Sequence, residues 1–176
     1  MSLTVPVNEK DHVQGNSSAV VELLEYGDYQ CPHCQRAYPI VKEIQRDYGR
    51  QLKFVFRNFP LAHIHPQAKM AALASEAAAR QHKYWEMHDY LFEHHEDFSF
   101  ESVVQIARIM NLDVEQFKED IFEMDIDTSS KVEQDLYSGI RSGVNGTPTF
   151  FVNGEQFFGN WENDQLRDFL YQKMNE

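Results

Sequence analysis

The chain has 176 residues, with 28 acidic against 16 basic side chains and a net charge of −12, so its surface repels phosphate backbones and nucleic acid is not expected as a partner. Hydrophobic content of 42% with 13 Phe, 8 Tyr and 2 Trp argues against disorder, and a chain of this size buries about 70% of its unfolded surface without disulfide staples or structural metal. No apolar run nears the roughly 20 residues of a spanning helix, and no basic-then-apolar leader opens the chain; the expectation is no membrane insertion and a cytoplasmic location, or a periplasmic one if a leader has been removed.

Residues 1–18 read as an extended lead-in with a turn at Gly15-Asn16. AVVELLEY (19–26) is a short Val- and Leu-rich run, the pattern of a buried strand. Helical spacing follows at Ala37, Ile40, Val41, Ile44 and Tyr48, with Gly49 as a stop and Pro39 expected to kink the helix. QLKFVFRNF (51–59) alternates Leu52, Phe54 and Phe56, a second strand that completes a β-α-β unit. The chain then turns helical. Pro66 sits ahead of the Ala-rich QAKMAALASEAAARQ, which suits close helix packing. KYWEMHDYLFEHH puts Trp85, His88, Leu91 and Phe92 on one face, and FESVVQIARIM is amphipathic. DVEQFKEDIFEM stripes Val114, Phe117, Ile121 and Met124 behind a capping-box pattern at Asp113 and Gln116. TSSKVEQDLYSGIRSG is a fifth helix of this block, ending near Gly139 or Gly143. The period changes again in TPTFFVNGEQFFG (147–159), two short strands joined by Asn153-Gly154, a strong hairpin signal. A last helix is expected from about Trp161 to Met174, with Leu166, Phe169 and Leu170 inward.

Both cysteines lie in YGDYQCPHCQRAYP (26–39), at the first strand–helix junction. Four readings compete. A zinc site needs about four ligands, and the next histidines, His63 and His65, are distant and spaced as HxH. Covalent haem attachment wants His after the second Cys, where Gln35 stands. Two buried structural cysteines are the plain alternative. The redox reading explains the position. Cys31 stands at the start of a helix, where unpaired N–H groups and the helix dipole favour an anion. Thiols in such settings titrate at roughly 3.5–7.5 against about 8.5 for a free Cys. Pro32 fits the first helical position, where no N–H is needed, and Cys34 lies one turn along, in reach of a disulfide with Cys31. His33 adds a donor, and a charge when protonated, beside a Cys31 thiolate; that makes the disulfide more oxidising, the alternative being a plain helix-start residue.

The stretches LLEYGDYQCPHC, FRNFPL, HPQAKMAALASEAAA, KYWEMHDYLF and GVNGTPTFFVNG together resemble the DsbA-like branch of the thioredoxin superfamily, over nearly the whole chain from about residue 12. The resemblance implies an α/β class, a thioredoxin fold with an inserted helical subdomain, here one domain over 1–176 with the insertion at about 62–143. It implies thiol–disulfide exchange by Cys31 and Cys34 with no cofactor and no metal. The partners it implies are protein thiols or disulfides and a redox-recycling protein or glutathione. It makes Thr147-Pro148 a cis-proline loop that faces the cysteine pair and pairs its backbone with a substrate strand. It makes Glu25 a buried acid beneath the disulfide, with a raised pKa, passing a proton to or from Cys34 through water; the alternative is an exposed strand-end glutamate. In the reducing cytosol the same chemistry runs as a reductase or isomerase. The competing class is a non-catalytic thioredoxin-like module that docks a partner or holds a soft metal through two thiolates. Other features carry less. His82, His88, His94 and His95 read as a polar helix end with His88 partly packed, Trp85 and Trp161 as core anchors, and Asp28 as either a turn cap or a charge that disfavours the thiolate.

Overall fold

The two hydrophobic periods resolve into five strands and seven α-helices in a computed structural model that describes residues 1–176. The chain divides into two compact units, one made of Met1–Gly27, Pro32–Arg57 and Ser138–Glu176, the other of Asp28–Cys31 and Asn58–Tyr137.

The first unit holds the sheet, in the order β1-β3-β2-β4-β5. Strand β2 (Val21–Gly27) is central and buried at almost every position, which is why its sequence runs apolar without alternation. Helix α1 (Pro32–Tyr48) links it to its neighbour β3 (Leu52–Asn58) through a short 3-10 turn at Gly49–Gln51. Strand β4 (Thr149–Val152) pairs antiparallel with β2, Leu23 opposite Val152 through Tyr26 opposite Thr149. It turns into β5 (Glu155–Gln156) at Asn153 and Gly154, whose φ angles of 48° and 78° are those of the tight hairpin turn their sequence announces. Asn153 also clips this turn to β2: its side-chain oxygen accepts from Glu22 N–H (2.8 Å) and its N–H donates to Glu22 O (2.9 Å).

Two expectations need correction here. The lead-in contains a strand, β1 (His12–Gly15), antiparallel to β3 with His12 opposite Phe56. Its side chains, HVQG, are only partly buried and carry no apolar run. The last helix, α7 (Gln165–Met174), starts four residues later than Trp161, and Leu166 and Leu170 are its buried residues. Helix α1 runs unbroken through Pro39 and buries Cys34, Ala37, Val41 and Ile44, one stripe at helical spacing.

The second unit is helical: α2 (Ala68–Arg80), α3 (Tyr84–Glu93), α4 (Phe100–Ile109), α5 (Val114–Ile126) and the first part of α6 (Lys131–Arg141). Helix α2 packs against α3, α4 and α5. Six of its alanines are buried, and their small size lets neighbouring helices approach on several sides. At α5 only half of the capping box forms. Asp113 accepts from Gln116 N–H (3.0 Å), but the Gln116 side chain turns along the helix to Asp120 (3.1 Å). No helix is long and apolar enough to cross a membrane.

Candidate redox site

In the sheet unit, α1 begins at Pro32, so Cys31 directly precedes the first helical residue and Cys34 lies in the first turn. Pro32 takes the one position where its missing N–H costs nothing. Cys34 is fully buried, fixed on the inward stripe of α1, whereas Pro32 and His33 are exposed. His33 Nδ1 lies 2.8 Å from Arg36 Nη2. A guanidinium only donates, so Nδ1 is an acceptor and the ring proton is on Nε2. Arg36 in turn donates to Glu162 (3.0 Å).

Glu25 is buried, 3% exposed, on central strand β2 opposite Phe150. Its carboxyl is on the same side of the strand as Gly27, two residues on. A Cβ at Gly27 would stand 3.1 Å from Glu25 Oε1 and only 2.4 Å from the Phe56 ring, so this position takes glycine because the ring occupies its side-chain space. The Thr147–Pro148 peptide bond is cis. Pro148 directly precedes Thr149, the β4 residue paired with Tyr26.

In the helical unit, the three residues before Cys31 each grip a different point. Asp28, 2% exposed, accepts from Gln30 N–H (2.8 Å), Leu61 N–H (3.0 Å) and His65 Nδ1 (2.8 Å), while its carbonyl accepts from Cys31 N–H (3.1 Å). Tyr29 hydrogen-bonds His88 Nδ1 (3.0 Å) and packs its ring against Phe92, centroids 4.7 Å apart. Gln30 accepts from Gln67 N–H at the start of α2 (2.8 Å). Cys31 itself is 3% exposed.

Asp28 is thus a turn cap and more, since it also holds the 61–65 turn. His88, expected to be partly packed, is fully so: it is buried among Tyr29, Trp85 and Phe92. Trp85 and Trp161 are only half-buried. The sequence offers His65 only as a distant candidate metal ligand. Its pairing with Asp28, 37 residues away, leaves no local signal, although both stand in the stretches that carry the family resemblance. No three His, Cys, Asp or Glu side chains gather as a metal cluster.

A family model described as thioredoxin matches residues 7–172. Among curated relatives, the Na(+)/H(+) antiporter NhaA 3 of Salinispora tropica is 40% identical over 167 residues, which is 94% of this chain and 25% of that protein. The chain spans about a quarter of the length of the curated relatives it matches. Among solved structures, BdbD from Bacillus subtilis (oxidised) is 26% identical with a TM-score of 0.83, covering 97% of this chain and 96% of that one. A thioredoxin-like oxidoreductase from Silicibacter pomeroyi is 28% identical with a TM-score of 0.81, covering 96% and 95%. The sheet order, the cysteine pair at the start of α1 and these matches agree: the chain belongs to the thioredoxin family, in its DsbA-like branch.

Proposed function

We propose that this chain is a thiol–disulfide oxidoreductase that exchanges disulfides with protein substrates through Cys31 and Cys34. One observation carries the reading: a cysteine with a little exposed surface stands immediately before a helix, and a second, fully buried cysteine follows one turn later. Amide dipoles at that helix start favour the Cys31 thiolate, which is the nucleophile. In the reducing direction the thiolate attacks one sulfur of a substrate disulfide. The S–S bond breaks, the displaced sulfur leaves as a thiolate and takes up a proton, and a mixed disulfide joins Cys31 to the substrate. Cys34 then loses its proton and attacks the Cys31 sulfur, releasing the second substrate thiolate. Two electrons have passed to the substrate, and a recycling protein or glutathione returns the Cys31–Cys34 disulfide to the dithiol. Oxidation of substrate thiols is the same sequence reversed.

Glu25 serves as the acid that exchanges the Cys34 proton, Pro32 and His33 shape and tune the start of α1, and Thr147-Pro148 presents backbone to an extended substrate segment. The burial of Glu25 on β2 and the place of Pro148 beside Thr149, the β4 residue paired with Tyr26, support these roles. Reduction of insulin by dithiothreitol tests the reading: wild type accelerates it and Cys31→Ser does not. A wild type as inactive as Cys31→Ser would favour the partner-docking module instead. The cytoplasmic location expected from the sequence gains no support from the relatives. The potential of the pair reports the direction, about −270 mV for a reductant of the thioredoxin kind and about −120 mV for a strong oxidant.

A second reading of its partners is favoured by the antiporter relatives, which match 92–94% of this chain at 36–40% identity. On that reading the domain acts on a cation–proton antiporter. Co-expression with such a transporter, and comparison of antiport with wild type and with Cys31→Ser, tests it: equal rates would rule it out.

A further inference from the structure

The proposed chemistry leaves unused a buried aspartate that is bonded within the helical unit. Asp28 has no exposed side-chain surface, yet it is a carboxylate three residues before the nucleophilic cysteine. Buried unneutralised charge is costly, and a fixed negative charge beside a thiol opposes its ionisation. The helical unit answers with three donors. Two are the backbone N–H groups of Gln30 and Leu61. The third is His65, whose Nδ1 lies 2.8 Å from Asp28 Oδ2. An ionised carboxylate only accepts, so Nδ1 carries the hydrogen. The segment that presents His65 is itself closed, His65 N–H donating to Leu61 O at 2.8 Å. The same Asp28 holds Cys31 through its carbonyl.

We propose that His65 is a positioning residue for Cys31: by donating to Asp28 it fixes the loop that carries the sulfur and offsets the one buried negative charge in that loop. The proposal rests on Cys31 being the nucleophile. It assigns to the helical unit a part in the chemistry that neither the cysteine motif nor the proline loop supplies. Tyr29 and Gln30 anchor the loop as well, but they carry no charge, so their loss would disturb geometry alone.

That difference gives the test. In the full chain with Cys34→Ser, so that Cys31 alone reports, the rate of alkylation by iodoacetamide is followed against pH. His65→Ala removes a donor from the buried carboxylate. Its midpoint is expected to rise by about one pH unit, a tenfold loss of thiolate at a pH below both midpoints. His65→Asn keeps an N–H donor and restores most of the shift. Asp28→Asn removes the charge and keeps an accepting oxygen, so its midpoint is expected to fall. A role in geometry alone would move both sites the same way; opposite signs belong to the electrostatic account. An unchanged midpoint in His65→Ala, or a rise in Asp28→Asn, overturns the proposal. Should His65→Ala fail to fold by circular dichroism, the sign in Asp28→Asn decides. A wild type that titrates like a free thiol, near about 8.5, and leaves insulin intact would sink the oxidoreductase reading itself. A low wild-type midpoint that His65→Ala does not move sinks only the role of His65.

Discussion

Asp11→Ala should be the most damaging single truncation in the N-terminal segment. Arg57 and Asp11 are each 2% exposed at the side chain. The guanidinium meets the carboxylate with two bonds, Nε to Oδ1 at 2.8 Å and Nη2 to Oδ2 at 2.7 Å. It also donates to the carbonyls of Val5 (2.9 Å) and Pro6 (3.2 Å) and to the Tyr26 hydroxyl (2.9 Å), which is in turn bonded to Ser138. Removing Asp11 leaves a buried cation without a counter-charge, a loss of about 3–5 kcal/mol. With a urea dependence of about 2 kcal/mol per molar, the unfolding midpoint drops by roughly 2 M. Lys83 and Glu86 form a control pair, both about half exposed, whose truncation should cost about 0.2–1 kcal/mol. Urea unfolding followed by circular dichroism measures both. Equal, small losses in the two pairs would refute the reasoning, because burial and the bonds made there are what set them apart.

Gly27→Ala puts a methyl 2.4 Å from Phe56 Cε2 and 3.1 Å from Glu25 Oε1, so about 1–3 kcal/mol of stability should be lost, and Phe56→Leu in the same chain should recover much of it; no recovery would mean that the ring is not the obstacle. Asp135 gives a pH test. Burial raises its pKa, against the opposing charge of Lys131 and with that of Glu76, to about 7. An acid with a raised folded-state pKa holds more protons folded than unfolded between about pH 4 and 7, so its contribution is full below about pH 4 and is lost as pH rises through 7. Stability should fall across that window with a slope approaching about 1.4 kcal/mol per pH unit, and Asp135→Asn should flatten it; an unchanged slope in the variant would exclude Asp135 as the source.

Much of the sheet unit was legible because its signals are local. The run through Leu23 and Leu24 marks a strand buried on both faces, Asn153-Gly154 marks the hairpin, and Cys34 falls in phase with Ala37, Val41 and Ile44. Strand β1 was not legible, since four residues with a half-buried polar face differ little from coil. The cysteine spacing and the family stretches point to the same two sulfurs, but not to what holds them. Asp28 meets Leu61 and His65 at separations of 33 and 37 residues, and Tyr29 meets His88 at 59, contacts that only the helical unit's packing creates. Nor does periodicity tell that Gln116 prefers Asp120 to its own helix start.

The central claim is that Cys31 is ionised near neutrality and is the sulfur that attacks first, ahead of Cys34. Reduced wild-type protein, pulsed with iodoacetamide across a range of pH and mapped by peptide mass spectrometry, tests both parts at once. The account predicts that label enters Cys31 first, with a midpoint between about 3.5 and 7.5. Label entering Cys34 first, or a Cys31 midpoint near about 8.5, would contradict it.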